Sequence, residues 1–163
     1  MSRIVQWCLA SLVLLTPPAM AGFTFRDLES GDQLEDIEGL ELVEELHGNR
    51  AVYQRPSDKM EVGHLEVRRI LYSFIDSQLY GVQVMLRDPE CEMANIATVK
   101  FGAYTRANYY DEMLLPDYRE ERVWVSQEEN LTLHVWCPLA MDTHSVYTWF
   151  DNAILYKGAV NDL

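Results

Sequence analysis

Basic residues are scarce in this sequence: Lys and Arg together number 13, against 26 Asp and Glu among 163 residues. Binding to nucleic acid depends on Lys and Arg that neutralise backbone phosphates, so the composition argues against nucleic acid as a partner. The same shortage argues against attachment to an anionic membrane surface. A cationic partner, in contrast, would be attracted to such a chain at low ionic strength.

Long hydrophobic runs are scarce as well. The longest is Ile4–Leu15, and about a dozen residues are too few for a helix that crosses a bilayer, which needs about 20. Arg3 precedes this run, and two prolines and the small-residue triplet Ala19–Ala21 follow it. This order of charge, apolar segment and cleavage site is typical of a secretory signal peptide. We therefore predict a signal peptide at 1–21 rather than a retained transmembrane anchor.

The predicted mature chain, 22–163, has a length that fits a single domain. Loss of Arg3 leaves 12 basic and 26 acidic residues, a formal charge of −14. We expect a secreted protein, periplasmic if the source is bacterial, with no transmembrane segment after cleavage of the signal peptide. The sequence carries no signal for an oligomeric state.

Cysteine is rare, with three residues in the whole chain. Cys8 falls inside the predicted signal peptide, and it does not close the apolar segment behind small residues as a lipid-modified cysteine should. Cys91 and Cys137 remain, an even number in an oxidising compartment, so we predict a disulfide between them. The absence of a C-x-x-C motif favours a structural bond over a redox centre.

Catalytic and cofactor motifs are missing. The sequence contains neither G-x-S-x-G nor H-E-x-x-H, and His47, His64 and His134 stand alone. The segment Asp142–Ser145 holds the residue types of a hydrolase triad, but triad members come from separate elements, which favours a polar loop. Four acids at 32, 35, 36 and 38 lack the spacing of an EF-hand calcium loop. We predict no catalytic residue, no metal and no cofactor, with a carboxylate pair among the many acids left open as an alternative.

Apolar periodicity predicts the elements of the chain. Alternation before and after Asp76–Gln78 predicts a hairpin, and Asp88-Pro89 followed by apolar residues at helical spacing up to Phe101 predicts a helix. Further elements are predicted as a strand at Phe23–Leu28, a brief helix at Asp32–Glu38, extended segments over Glu41–Arg55, strands at Arg122–Ser126 and Leu131–Trp136, and an extended stretch at Val146–Ile154. The order predicts an α+β fold: an antiparallel sheet of about six to eight strands, with one short and one longer helix packed on one face.

From about Phe23 to Leu155 the sequence resembles small uncharacterised bacterial periplasmic and lipoprotein-type α+β domains. The residues that carry the resemblance are Phe25-Arg26, Ile37–Leu40, Leu71–Asp76 with Leu79 and Val82, Phe101-Gly102 and Val123–Val125. The resemblance implies a fold and a compartment. Because such families have no established activity, it transfers no site residue.

Two features suggest a binding surface. The segment from Asp27 to Glu45 carries nine acids and no base, interleaved with apolar residues that need burial. We place a candidate binding surface at four tyrosines on a predicted loop, Tyr104, Tyr109, Tyr110 and Tyr118, because aromatics among acids suit a cationic or sugar-bearing partner. The alternative is that these tyrosines cover the core.

These observations favour a non-enzymatic secreted domain that binds a basic protein or a cell-envelope component. Two alternatives are a hydrolase of envelope polymers that uses a carboxylate pair and a carrier of a small apolar ligand held between helix and sheet. The first requires a cleft in which two acids converge, and the second requires an internal cavity.

Overall fold

The computed structural model describes residues 22–109, 118–128, 130–138 and 144–155. Its strands are β1 (Thr24–Phe25), β2 (Leu28–Glu29), β3 (Glu41–Leu46), β4 (Arg50–Gln54), β5 (Glu61–Val62), β6 (Leu65–Ile75), β7 (Gln78–Leu86), β8 (Arg106–Tyr109), β9 (Tyr118–Ser126), β10 (Leu131–Pro138) and β11 (Ser145–Asp151). The helical segments are a 3-10 turn at Leu34–Asp36, helix α1 at Glu92–Phe101 and a turn of helix at 152–155.

One large antiparallel sheet organises these elements. Its strands follow the order β3-β4-β6-β7-β11-β10-β9-β8, and β5 adds to β6 beside this row. The predicted hairpin is confirmed as β6 and β7, joined by Asp76 and Ser77, which both have positive φ angles. Such angles match the twist of a tight hairpin turn. In the described part of the chain, β3 and β8 form the two edges of the sheet.

The core lies on one face of the sheet, called here the core face. Tyr72 of β6 is paired with Val82 of β7, and Val84 of β7 with Tyr147 of β11, so these side chains share that face. Each of the four is at most 1% exposed. The segment from 23 to 40 covers part of the core face with buried or partly buried apolar side chains, namely Phe23, Phe25, Leu28, Leu34, Ile37 and Leu40.

The predicted α+β class is wrong. Strands make up just over half of the described residues, and α1 is the one described helix longer than a single turn. Within the described ranges no layer of helices packs on the sheet, and the extended 23–40 segment covers part of the core face. Helix α1 has ten residues, of which Ala94 and Ala97 are buried. The fold is β-rich, and its long antiparallel sheet is the main structural unit.

The predicted disulfide is confirmed. Cys91, directly before α1, is bonded to Cys137 of β10, with 5.4 Å between their Cα atoms. The predicted helix start, with Asp88 as the cap and Pro89 as the first helical residue, is three residues too early, because α1 begins at Glu92 and Cys91 occupies the N-cap position. The Asp88 carboxylate still caps the helix start from a distance, because it accepts hydrogen bonds from the backbone N–H groups of Glu92 and Met93 at 2.8 and 3.1 Å. The bond and the cap together fix the start of α1 against the sheet.

Three local predictions need correction. The brief helix expected at Asp32–Glu38 is only the 3-10 turn, which Gly39 follows with a φ of 77°. Residues 106–109 were expected in a loop, but they form β8. The last extended stretch was predicted to reach Ile154, but β11 ends at Asp151. The Asp151 carboxylate accepts hydrogen bonds from the backbone N–H groups of residues 153 and 154, at 2.9 and 3.2 Å, and so begins a helical turn.

Residues 1–21, the predicted signal peptide, lie outside the described residues.

Within the described ranges, no helix combines the length and the apolar character that crossing a membrane requires.

Candidate functional site

The edge strand β3 is exposed along its whole length. All six residues of Glu41–Leu46 are exposed, and among the described strands β3 pairs with β4 alone. Alternate residues of an edge strand direct backbone N–H and C=O groups away from the sheet, where another chain can pair with them. Folded proteins commonly protect such edges with charges and bulges, and β3 has both.

A bulge at Val43 decides where the side chains of β3 lie. Leu42 is opposite Tyr53 and Glu44 is opposite Val52, so Val43 is an extra residue without a partner in β4. Directly opposite residues in an antiparallel pair share a face. Leu42 and Glu45 therefore lie on the core-face side of the edge, and Glu41, Glu44 and Leu46 lie on the opposite side. Each side of β3 carries both acidic and apolar side chains.

The apolar side chains of β3 are not buried. Leu42, Val43 and Leu46 are 51%, 37% and 42% exposed. Single exposed apolar residues are common, but three of them fall within five positions of this edge strand, and Leu42 and Leu46 lie on its two opposite sides. A surface serving only solubility would not need them.

The acidic residues continue from β3 into the preceding turn. Of the nine acids between Asp27 and Glu45, eight are exposed and Asp32 is half-buried. Within the described part of the chain, no ion pair joins the three glutamates of β3 to a basic side chain. We refer to β3 with Glu35, Asp36 and Glu38 as the acidic edge.

A cavity of about 480 Å³ opens beside the turn that joins β3 and β4. Its apolar lining comes from Leu34, Ala51, Tyr53 and Phe74, and Glu45 also contributes to it. Asn49 in the turn holds the hairpin in place through two contacts with Asp76 of the β6–β7 turn: its carbonyl accepts the Asp76 N–H, and its side-chain amide donates to the Asp76 carboxylate, each at 3.1 Å. The acidic edge therefore ends at a recess in which these apolar side chains lie beside polar ones, Arg50 among them.

A buried carboxylate fixes the 23–40 segment to the sheet. The side chain of Asp58 is 3% exposed and pairs with Arg26 at 3.1 Å and with Arg55 at 2.9 Å. It also accepts a hydrogen bond of 2.6 Å from the Tyr72 hydroxyl. Burial raises the pKa of Tyr72, and the bond to Asp58 raises it further. These contacts set the position of the chain that leads to the acidic edge.

Arg55 extends this cluster to the surface. Its guanidinium donates two hydrogen bonds, of 2.9 and 2.7 Å, to the exposed carboxylate of Asp27. These bonds lower the pKa of Asp27 to about 2, and the bond to Asp27 raises the pKa of Arg55 in return. One acid of the Asp27–Glu45 run is thus neutralised within the molecule, away from β3.

The four tyrosines of the predicted binding surface do not all lie in a loop. Tyr109 ends β8 and Tyr118 begins β9, while Tyr110 lies outside the described residues. Tyr104 is 41% exposed, and its ring meets Trp124 edge to face with 6.0 Å between centroids. The guanidinium of Arg122 lies 5.8 Å from the same ring. Tyr104 therefore already has a cationic neighbour inside the molecule.

The buried acids of the described part do not converge in a cleft. Asp88 and Asp151 accept backbone N–H groups at helix starts, and Asp58 belongs to the arginine cluster. Glu120 and Glu121 are adjacent in β9, so their side chains point to opposite faces. Among the described residues, the buried acids therefore form no convergent carboxylate pair. Part of the Asp142–Ser145 segment lies outside the described residues, and Ser145 is buried in β11.

A pair on the opposite face of the sheet is the other notable polar contact. His134 and Glu121 are 2.5 Å apart, and the His134 ring stacks on Trp136 at 5.3 Å. His134 also lines an open groove of about 390 Å³ beside Phe150 and Asn152. No group of three or more His, Cys, Asp and Glu suited to a metal occurs in the described ranges.

A carrier of a small apolar ligand would need an internal cavity. A cavity of about 290 Å³ lies beside the end of α1, and Lys100 and Glu128 contribute to its lining together with apolar side chains.

The acidic edge was only half predicted from the sequence. The run of acids was evident, but the binding surface was placed at the tyrosines because aromatic residues mark interfaces. The sequence did contain a signal for the edge. In Glu41–Leu46, Glu and the apolar residues do not alternate regularly, as they would in a strand with one buried face.

A comparison of the chain with protein-family models, with curated proteins and with solved structures found no match.

Proposed function

We propose that this chain is an exported, non-enzymatic binding domain whose acidic edge recognises a basic protein segment. The observation that carries the proposal is that exposed acidic and exposed apolar side chains occur together on one edge strand. Opposite charge supplies long-range attraction and orientation, and apolar side chains supply short-range affinity when a partner buries them.

Charge complementarity selects the class of partner. The acidic edge combines six exposed carboxylates, at Glu35, Asp36, Glu38, Glu41, Glu44 and Glu45. A partner rich in Lys or Arg would be attracted by this field, and an acidic partner would be repelled. The recess beside Tyr53 and Phe74 offers such a partner a place for one apolar side chain.

Export is part of the proposal. The pattern of residues 1–21 supports it, because a basic residue, an apolar run and a small-residue triplet follow one another. The Cys91–Cys137 disulfide is compatible with an oxidising compartment, where such bonds persist. The expected location is outside the cytoplasm, and the periplasm if the source is bacterial.

Binding of defined peptides to residues 22–163 tests the proposal. The basic probe is a capped peptide of about seven residues in which Lys alternates with Val, and the acidic probe replaces each Lys with Glu. Titration calorimetry at about 20 mM and about 300 mM NaCl measures both affinities. We expect the basic probe to bind and to weaken with salt, and the acidic probe not to bind. Equal affinity for both probes, or none for either, overturns the proposal.

A matched pair of variants locates the binding surface. The variant Glu41→Gln/Glu44→Gln/Glu45→Gln removes three charges from β3, and Glu61→Gln/Glu66→Gln/Glu92→Gln removes three charges from exposed positions elsewhere. We expect the first variant to bind the basic probe about tenfold more weakly, since each exposed pair contributes little alone. The control variant should lose much less. Equal losses would show that net charge, and not the acidic edge, governs binding.

A further inference from the structure

The geometry of β3 points to a specific mode of recognition, an inference that rests on the proposed function: we propose that the basic partner segment binds as an additional β-strand paired with β3. The acidic edge is then a template that extends the sheet, and the partner is recognised through its backbone as well as its side chains. This mode requires a free edge, a strand of sufficient length and a reason for the partner not to be another copy of this chain.

The edge has the required length. Glu41–Leu46 contains six residues, which span about 20 Å in an extended strand. All six residues are exposed, and no described strand other than β4 pairs with β3, so within the described part of the chain its outward backbone groups are open to a second strand. β3 is held in an extended conformation before a partner binds, because it pairs with β4 and β4 in turn pairs with β6. The partner therefore meets a strand that is already ordered, which lowers the entropic cost of binding.

The bulge at Val43 gives the additional strand a side-chain pattern. Glu41 and Glu44 lie on one side of β3, so bases at alternate positions of the partner can face them. Leu42 lies on the other side, where an apolar side chain of the partner would pack against it. A segment that alternates basic and apolar residues satisfies both sides. The cavity beside Ala51 and Phe74 adjoins the end of this pairing and would take one apolar side chain.

Charge excludes a second copy of β3 as the occupant. Two β3 strands paired with each other would bring six glutamates together across a distance of a few ångströms, and like charges opposite each other in a sheet are destabilising. The same glutamates would attract a basic strand. The protective charges of the edge thus exclude self-association and select a partner of opposite charge.

Backbone-blocked peptides test the mode separately from the charge. The blocked probe has the sequence of the alternating Lys and Val peptide, with N-methyl groups on two adjacent central amides, so that each of its two edges loses a donor. Its charge is unchanged. We expect the blocked probe to bind residues 22–163 at least about tenfold more weakly than the unblocked probe, because hydrogen bonds to β3 are lost and methyl groups obstruct pairing.

Hydrogen exchange provides the second readout. With the unblocked probe bound, amides of Glu41–Leu46 should exchange more slowly, while amides of the other edge, Arg106–Tyr109, should not change. If the blocked probe binds as tightly and with the same salt dependence, strand pairing is wrong and the acidic edge remains a binding surface. If protection appears at β8 instead, or if sedimentation shows a dimer in which the amides of Glu41–Leu46 are already protected without the probe, the inference is also overturned. If neither probe binds, both proposals fail.

Discussion

The Tyr72 hydroxyl donates a hydrogen bond of 2.6 Å to the Asp58 carboxylate, and this contact joins the centre of the sheet to the loop after β4. Tyr72 has no exposed surface, and the Asp58 side chain is 3% exposed. The carboxylate is also shared by Arg26 and Arg55, so a single buried acid connects the 23–40 segment, the loop and β6. The acidic edge is positioned through this connection.

Removal of Asp58 should therefore destabilise the fold strongly. We expect Asp58→Ala to lower the free energy of unfolding by about 3–5 kcal/mol, because two arginines lose their common partner. Tyr72→Phe should cost about 1–3 kcal/mol, since one acceptor loses its donor while the ring stays in place. Urea denaturation monitored by tryptophan fluorescence measures both values. Tyr53→Phe is the control, since it removes a hydroxyl from a half-exposed ring that stays packed on Phe74; a cost equal to that of Tyr72→Phe would contradict this account.

The pair of Asp27 and Arg55 should make stability depend on acid pH. Two hydrogen bonds from Arg55 lower the pKa of Asp27 from 3.8 to about 2. A lowered pKa in the folded state contributes stability that is complete above the unfolded value and is lost as the pH falls through the folded value. Asp27 is 66% exposed, so solvent screening keeps this contribution below about 1 kcal/mol.

The variant Asp27→Asn tests this pH dependence. The wild type should be more stable than Asp27→Asn at about pH 6, and the difference should shrink from about pH 4 and vanish only below about pH 2. Urea midpoints measured across that range give the difference directly. Asp36→Asn serves as the control, because it removes the same charge from the acidic run without removing a bond to Arg55. A constant difference between Asp27→Asn and wild type over the whole range would rule out the assigned pair.

Local sequence signals predicted the central part of the fold well. The β6–β7 hairpin was evident from alternation on both sides of Asp76. Asp88 and the proline after it indicated helix α1 but placed its start three residues too early. The disulfide followed from the number of cysteines and the expected compartment. Each of these features depends on residues close together in sequence or on simple counting, so no tertiary information was needed.

The fold class and the site depended on contacts distant in sequence. The 23–40 segment was assigned a brief helix because its acids suit a helix start, but Phe25 and Leu34 pack on the core face as part of an irregular segment. The edge position of β3 follows from the strand order, which the sequence does not encode locally. Its bulge likewise depends on pairing with β4. Exposure of Leu42 and Leu46 therefore became evident only in the structure.

Loss of the disulfide should destabilise the fold by restoring freedom to the unfolded chain. Cys91 and Cys137 are 46 residues apart, and closing a loop of that length is worth about 4 kcal/mol in the chain-entropy model. We expect Cys91→Ala/Cys137→Ala to lose up to about this amount in urea denaturation. Reduction of the wild type should lower its midpoint similarly, whereas reductant should leave the double variant unchanged. A wild-type midpoint that does not respond to reduction would contradict the predicted contribution.

The cap of α1 should be energetically coupled to β11. The Asp88 carboxylate accepts a hydrogen bond of 2.8 Å from the Tyr147 hydroxyl as well as the two N–H groups of the helix start. Both residues are buried, at 2% and 1% exposure, and burial raises the pKa of Tyr147. Removing Asp88 should therefore leave the buried Tyr147 hydroxyl without this acceptor, whereas removing the hydroxyl leaves the carboxylate with its two N–H donors.

A double-mutant cycle measures this coupling. Asp88→Ala should cost about 2–4 kcal/mol, because it removes a helix cap and leaves the Tyr147 hydroxyl without its acceptor. Tyr147→Phe should cost about 1–2 kcal/mol, and the double variant should cost less than the sum of the two by about 1 kcal/mol. Exchange of the α1 amides gives an independent readout, since Asp88→Ala should speed exchange at the helix start and Tyr147→Phe should do so much less. Strict additivity of the two costs would mean that the cap and the β11 contact act separately.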